Sequence, residues 1–250
     1  MRKDVHLFLD APNGALKGAI GSKPWQHGPM TWRPLSMMLS LALVACGRQG
    51  ATPQSVSAPA PAPKAEVHAA HTVAFLGDSL TAGQGLPEAQ AYPALIQARL
   101  RAEGLDWRVI NAGISGDTTA GGAARMDWLY RQPIDVLVVA LGANDGLRGL
   151  PLKETEKNLH VIVRRAKKEG SKVLLAGMQM PENYGPEYRK AFAALFPKVA
   201  KEEGVPLLPF LLEGVALDPK LNQADGIHPN PEGAKRVAET VWGSLHPMLK

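Results

Sequence analysis

Val73-Ala74-Phe75-Leu76-Gly77-Asp78-Ser79-Leu80-Thr81 holds the change from strand to helix within one short stretch. Val73 to Leu76 is an unbroken apolar run closed by Gly77, the pattern of a strand buried on both faces. A polar turn carrying a serine follows. The same unit recurs along the chain. Trp107-Arg108-Val109-Ile110 reads as a second strand, Ile134 to Leu141 as a third, Lys172 to Ala176 as a fourth and Pro206-Leu207-Leu208 as a short fifth. Helical spacing of apolar residues covers Tyr92 to Glu103, a segment near 119–131, Lys153 to Glu169, Tyr188 to Glu203 and Pro231 to His246. Gly104, Gly170 and Gly204 each stand just past one of these helices, where a left-handed stop is needed. Alternating apolar strands and helices imply a parallel sheet covered on both faces. Right-handed crossovers make it a three-layer α/β/α sandwich with a five-stranded parallel sheet. Ligands of such sheets bind beyond the carboxyl ends of the strands. The loops after the first three strands, and the last loop before the final helix, are therefore where chemistry is to be sought.

After the first strand, Ser79 stands at a strand-to-helix turn, near free backbone N–H groups and the positive end of a helix dipole. Taken alone, a serine in such a turn is more often a helix cap. The stretch is not a Gly-x-Ser-x-Gly elbow, because Thr81 holds the last place, and it lacks the Gly-Lys-Ser/Thr ending of a phosphate loop. After the second strand comes Asn111-Ala112-Gly113-Ile114-Ser115-Gly116-Asp117, in which Gly116 can present its backbone N–H unobstructed. After the third comes Leu141-Gly142-Ala143-Asn144-Asp145-Gly146, in which Asn144 offers a neutral N–H donor. Near the C-terminus, Asp225-Gly226-Ile227-His228-Pro229-Asn230-Pro231 ends in an N-cap and a first-turn proline. Asp225 and His228 thus share one turn. The carboxylate can hold one ring N–H and leave the other nitrogen to take the Ser79 proton. Each motif alone is common; their arrival in order at one sheet edge is not.

Together the four segments resemble the sequence blocks of the GDSL, or SGNH, hydrolase superfamily, with Ser79, Gly116, Asn144 and His228 at the block positions and Asp225 completing a triad. Gly142-Ala143-Asn144-Asp145 follows the pattern Gly-x-Asn-Asp. Asn183-Tyr184-Gly185 and Val205-Pro206-Leu207-Leu208-Pro209-Phe210 are similar to the bacterial multifunctional thioesterase, arylesterase and lysophospholipase branch. The resemblance covers about residues 72–248. It implies a flavodoxin-like SGNH fold and a serine esterase acting on a small acyl ester or thioester without a cofactor. Ser79 would be the nucleophile and His228 the base, oriented by Asp225. The Ser79 and Gly116 N–H groups and the Asn144 side chain would hold the oxyanion. Ile114, Leu147, Leu150 and Met180 lie in loops suited to line an apolar acyl pocket. Carbohydrate O-deacetylation is the rival reaction on the same fold. A non-catalytic α/β binding module is the rival from another class, and it predicts an incomplete triad.

The N-terminal portion reads differently. Leu35-Ser36-Met37-Met38-Leu39-Ser40-Leu41-Ala42-Leu43-Val44-Ala45 is too short to span a bilayer, which takes roughly 20 residues. It has the length of a signal-peptide core and ends in Leu43-Val44-Ala45-Cys46, which looks like a bacterial lipobox. Cys46, the chain's one cysteine, would then be lipidated and no intrachain disulfide can form. Residues 47–70 are rich in Ala, Pro, Ser and Gln, a composition that builds no core and suits a tether. The domain expected is 71–250, after a leader over 1–46. Met30 is the expected start, with residues 1–29 an artefact of start-site choice. Residues 1–70 carry 7 Lys and Arg against 3 Asp and Glu, while 71–250 carry 21 against 20. The basic excess is thus in the leader, and the body shows no basic stripe that would fit nucleic acid. No cluster with metal-ligand spacing stands out. A monomer exported to the cell envelope, anchored to a membrane through Cys46, is the reading that follows.

Overall fold

A computed structural model of the chain describes residues 69–250. Cys46, the apolar run before it, the stretch 1–29 and the linker up to residue 68 lie outside the described residues. The elements run β1 (His71–Gly77), α1 (Ser79–Ala82), α2 (Tyr92–Ala102), β2 (Trp107–Gly113), α3 (Thr119–Ala124), α4 (Met126–Leu129), β3 (Val136–Ala140), α5 (Ala143–Leu147), α6 (Leu152–Lys168), β4 (Lys172–Ala176), α7 (Pro186–Glu203), β5 (Leu207–Leu208) and α8 (Pro231–Leu245). The five strands form one parallel sheet in the order β2-β1-β3-β4-β5. α2 packs against α8, while α3, α6 and α7 pack against one another in series. Right-handed crossovers put the two sets on opposite faces, giving the expected three layers.

The core follows from the apolar runs. Val73 to Leu76 and Val136 to Leu141 have no solvent exposure at all. α6 buries Thr155, Leu159, Ile162, Val163 and Ala166, the one-sided spacing of an amphipathic helix, and ends in Arg165, Lys167 and Lys168, which suit the negative end of its dipole. β1 lies between β2 and β3, so the chain leaves it toward one side and later returns on the other. A crevice opens where the order reverses, beyond the carboxyl ends of the strands.

The sequence reading and the structure differ at several element bounds, and β2 runs on to Gly113 through residues that the sequence reading gives to the loop. The single helix expected over 119–131 is two short helices, α3 and α4, joined at Arg125. β3 starts at Val136 rather than Ile134 and ends at Ala140. α5 was not anticipated, and α1 was expected only as the helix start at Ser79 with no end given, because helices of five and four residues are too short to show a periodicity.

Candidate active site

The loops at the carboxyl edge meet as the topology requires. Asp78 caps α1, its Oδ1 accepting the Leu80 N–H at 3.0 Å, and so Ser79 becomes the first helical residue. α1 sits directly on β2. Thr81 and Tyr92 share a hydrogen bond of 2.9 Å between their hydroxyls, and Asn111 Nδ2 donates to the Thr81 carbonyl at 3.0 Å.

His228 arrives from the turn before α8. Asn230 caps that helix by accepting from the Glu232 and Gly233 N–H groups, with Pro231 at its first position. His228 Nε2 lies 2.9 Å from Ser79 Oγ, and His228 Nδ1 lies 2.7 Å from Asp225 Oδ2. Asp225 Oδ1 also accepts the backbone N–H groups of Ile227 and His228, each at 3.0 Å. The turn therefore fixes the carboxylate before it meets the ring. The His228 backbone N–H, then its ring and the Ile227 N–H, hold the Asp225 carboxyl down at about 2. Gln223 clamps this turn to the far end of α1: its Nε2 donates to the carbonyls of Gln84 (2.7 Å) and Pro229 (3.0 Å), and its N–H to that of His228 (2.8 Å).

Gly116 adopts a φ of 79°, in the left-handed region, and its carbonyl accepts from Arg148 Nη2 at 2.7 Å. Asn144 Nδ2 donates to the Asp117 carbonyl at 2.9 Å and stands 3.4 Å from Asp78 Oδ2. Two acids tie these loops down, the partly buried Asp117 and the buried Asp145, and neither role is visible in the motifs. Asp117 Oδ2 accepts from Arg125 Nε at 2.8 Å, and Arg125 Nη2 donates to the Gly77 carbonyl at 3.0 Å. Asp145 accepts from the Thr119 N–H (2.9 Å), the Thr119 hydroxyl (2.5 Å) and the Thr155 hydroxyl (3.3 Å). Both sit beside motif residues, but their partners come from α3 and α6, which spacing alone does not connect to them.

Asp78 is wholly buried, and burial pushes its carboxyl up to about 6 against the pull of the Leu80 N–H and of His228. It borders the same cleft as Ser79, Gly116, Asn144 and His228, a space of about 380 Å³. The cleft's apolar wall comes from Leu147, Met178, Met180, Phe210, Leu212 and Ile227. Of the four residues expected to line an acyl pocket, Leu147 and Met180 do. Ile114 and Leu150 do not border the cleft, and are 52% and 37% exposed. Met178, Phe210 and Leu212 were missed because they flank β4 and β5, and only the fold brings them to this edge.

No metal cluster was read from the sequence, yet Glu156, His160 and Glu202 bring ligand atoms within 4.8 Å of one another. These groups face charged partners already. His160 stands 3.1 Å from Glu202 and 2.5 Å from Glu203, and Lys198 stands 2.5 Å from Glu156. They make an ion-pair network bridging α6 and α7, and none of them borders the cleft. Among the described residues no helix is long and apolar enough to cross a membrane.

The profile of the GDSL-like lipase/acylhydrolase family matches residues 75–236. Esterase TesA of Pseudomonas aeruginosa is 48% identical over 182 residues, spanning 72% of this chain and 90% of that protein. Thioesterase 1/protease 1/lysophospholipase L1 of Escherichia coli is 43% identical over 183 residues, spanning 72% and 86%. The crystal structure of TesA superposes with a TM-score of 0.70 at 46% identity, covering 71% of this chain and 99% of that one. Sequence blocks, fold and relatives agree, and the chain belongs to the GDSL-like lipase/acylhydrolase family, as an enzyme of the ester-hydrolase class.

Proposed function

We propose that Ser79, His228 and Asp225 form the catalytic triad of this hydrolase, and that its substrates are esters or thioesters of short-to-medium acyl chains. The observation that carries the reading is the relay of contacts itself: 2.9 Å from Ser79 Oγ to His228 Nε2 and 2.7 Å from His228 Nδ1 to Asp225 Oδ2. Ser79 Oγ attacks the carbonyl carbon while His228 Nε2 takes its proton and Asp225 stabilises the imidazolium. The C=O π electrons move to the oxygen, which is held by the Ser79 and Gly116 N–H groups and the Asn144 side chain. Collapse of this intermediate expels the alcohol or thiol, which receives the proton from His228. Water, deprotonated by His228, then attacks the acyl-enzyme and releases the acid and the Ser79 hydroxyl. The bond from Asn144 Nδ2 to the Asp117 carbonyl fixes the amide where it borders the cleft. The apolar wall of the cleft favours an acyl chain over a sugar ring. The names of the relatives, an esterase and a thioesterase/lysophospholipase, support the same class of bond.

The enzyme is further proposed to be exported and tethered. The support is the apolar run closing on Leu43-Val44-Ala45-Cys46 and the Ala/Pro-rich stretch that follows. Two or more acyl chains on Cys46 would anchor stably, at about 0.8 kcal/mol per buried methylene. Cys46→Ser is expected to move the enzyme from the membrane to the soluble fraction.

The decisive experiment on the chemistry is labelling with a fluorophosphonate, followed by identification of the modified peptide. Labelling at Ser79 is expected. Ser79→Ala should abolish it and lower kcat on an aryl ester by a factor on the order of 10⁶. A Ser79→Ala enzyme with more than trace turnover would refute the mechanism, and an unlabelled parent protein would favour a binding module.

A further inference from the structure

Seven large apolar side chains stand exposed among the described residues, and five of them sit at one end of the domain. Ile114 follows β2, Leu147 and Leu150 follow β3, and Leu217 and Ile227 lie between β5 and α8. Four lie on loops and Leu147 ends α5, all in the connections that leave the carboxyl edge of the sheet. Leu147, Leu217 and Ile227 border the cleft, while Ile114 and Leu150 stand outside it on the same loops. The other two are elsewhere: Trp128 on α4, which leads down to the amino end of β3, and Val161 in the middle of α6. Scattered exposed apolar residues need no explanation, but five gathered at one end of the domain, three of them bordering the cleft, do.

Leu217 sharpens the point. It is the most exposed of the seven, at 64%, and the one non-glycine residue with positive φ among the described residues, at 63°. A leucine pays conformationally for that backbone, where glycine or asparagine would not. The strain holds an apolar side chain outward at the mouth of the cleft.

We propose that this rim seats on the surface of a phospholipid bilayer, with the cleft opening onto it. The choice of occupant rests on the acyl-ester reading: an acyl chain leaving the bilayer would enter the apolar cleft without crossing water. It also rests on the chain that precedes the domain. Between Cys46 and His71 lie 24 residues, which span at most about 80 Å when extended. A domain of this size has a radius of gyration of about 16 Å. β1 starts at the edge opposite the rim, and such a tether reaches around the domain and leaves the rim free to face the membrane. Charge contributes little to the seating, because Arg148 beside Gly116 and Arg189 at the cleft are offset by Glu182 and Asp218. Binding by apolar contact of this kind is insensitive to salt, unlike adsorption by a basic patch.

Residues 69–250 can be tested alone, since the solved TesA chain corresponds to this portion over 99% of its length. The piece lacks Cys46 and the apolar run, which would bind lipid themselves. It is sedimented with vesicles of phosphatidylethanolamine and phosphatidylglycerol at low and high salt. Binding is expected at both. The double variant Ile114→Gln, Leu150→Gln should bind at least about tenfold more weakly, while Trp128→Gln binds as the parent does. Turnover of a water-soluble aryl acetate by the double variant should stay within about twofold, since both side chains are exposed and outside the cleft. A parent that does not sediment, a double variant that sediments like the parent, or binding lost at high salt would overturn the proposal. So would a parent that is a dimer in gel filtration and a double variant that is a monomer, which would assign the rim to a second copy. If vesicles are bound but aryl acetate is not hydrolysed, it is the catalytic reading that fails and not the docking.

Discussion

Asp78 precedes Ser79, the proposed nucleophile, with no exposure to solvent, and its carboxyl is raised by burial from 3.8 to about 6. In the unfolded chain the same group titrates near its ordinary value. Between about pH 4 and pH 6 the native state therefore holds more of this proton than the unfolded state does, and stability falls as pH rises through that window. Above it, the full cost of a buried carboxylate is present, at most about 3 kcal/mol for a shift of this size. Asp78→Asn keeps an oxygen to cap α1 and removes the charge. It should raise the unfolding free energy by up to about 3 kcal/mol near pH 8 and by almost nothing near pH 4, as urea denaturation at the two pH values will read. An equal gain at both would mean that the carboxyl does not titrate in this range. Asp225 has the opposite sign. Its carboxyl is held down at about 2, so the stability it contributes is present above the ordinary carboxylate value and is lost as pH falls toward 2. The Asp225–His228 pairing was legible in the sequence because both residues lie in one turn. The titration of Asp78 was not, because its burial depends on Asn144, His228 and the loops that carry them, brought in from far along the chain.

The elements around Ser79 are short, and their positions are set by close approach more than by propensity. α1 is a single turn, so its own hydrogen bonds cannot hold it. It is held by contact with β2, where Gly113 lets the backbones meet: a Cβ there would come within 2.2 Å of the Ala82 nitrogen. Gly113→Ala must displace α1, and with it Ser79 relative to the His228 turn. The expected cost is about 1–3 kcal/mol of stability, and a fall in kcat/KM of about 10² for a displacement near 1 Å. Gly243→Ala is the contrast. That position faces open space within α8, and the substitution should stabilise by roughly 0.5–1 kcal/mol with unchanged kcat/KM. Thermal unfolding together with aryl-ester kinetics checks both, and a harmless Gly113→Ala would show that α1 is not held this way. The longer elements were legible because apolar period and terminal glycines mark them. The joint at Arg125 was not, since that residue turns its guanidinium to Asp117 and the Gly77 carbonyl, a tertiary contact between two loops and a helix end. Arg125 thereby connects the Ser79 loop to the Gly116 loop, and its helical neighbours give no sign of it.

At the scale of the whole domain, the sheet order decides what kind of acyl group fits. The reversal at β1 opens the crevice between the loops after β1 and β3, so the four sequence blocks were enough to anticipate where the site lies. They were not enough to anticipate its walls. Met178, Phe210 and Leu212 come from the β4 and β5 side and complete a pocket of which the sequence reading held only Leu147 and Met180. At about 380 Å³ the cleft lies at the small end of the 300–1,000 Å³ usual for ligand pockets. Leu147, Met178, Met180, Phe210, Leu212 and Ile227 give it an apolar wall beside Gln179, Glu182 and Arg189, so each methylene laid on that wall leaves water for hydrocarbon. That transfer is worth about 0.8 kcal/mol, close to fourfold in kcat/KM where it is fully realised in the transition state. A cleft of limited depth stops the series once it is filled. Aryl esters lengthened one methylene at a time from the acetate should thus show kcat/KM climbing by up to about fourfold per step, and then a plateau for chains whose ends protrude. A profile that is flat from the acetate onward would mean that the acyl group lies outside this cleft. A profile that falls from the acetate would point instead to an acetyl-sized pocket and to the O-acetylesterase reading.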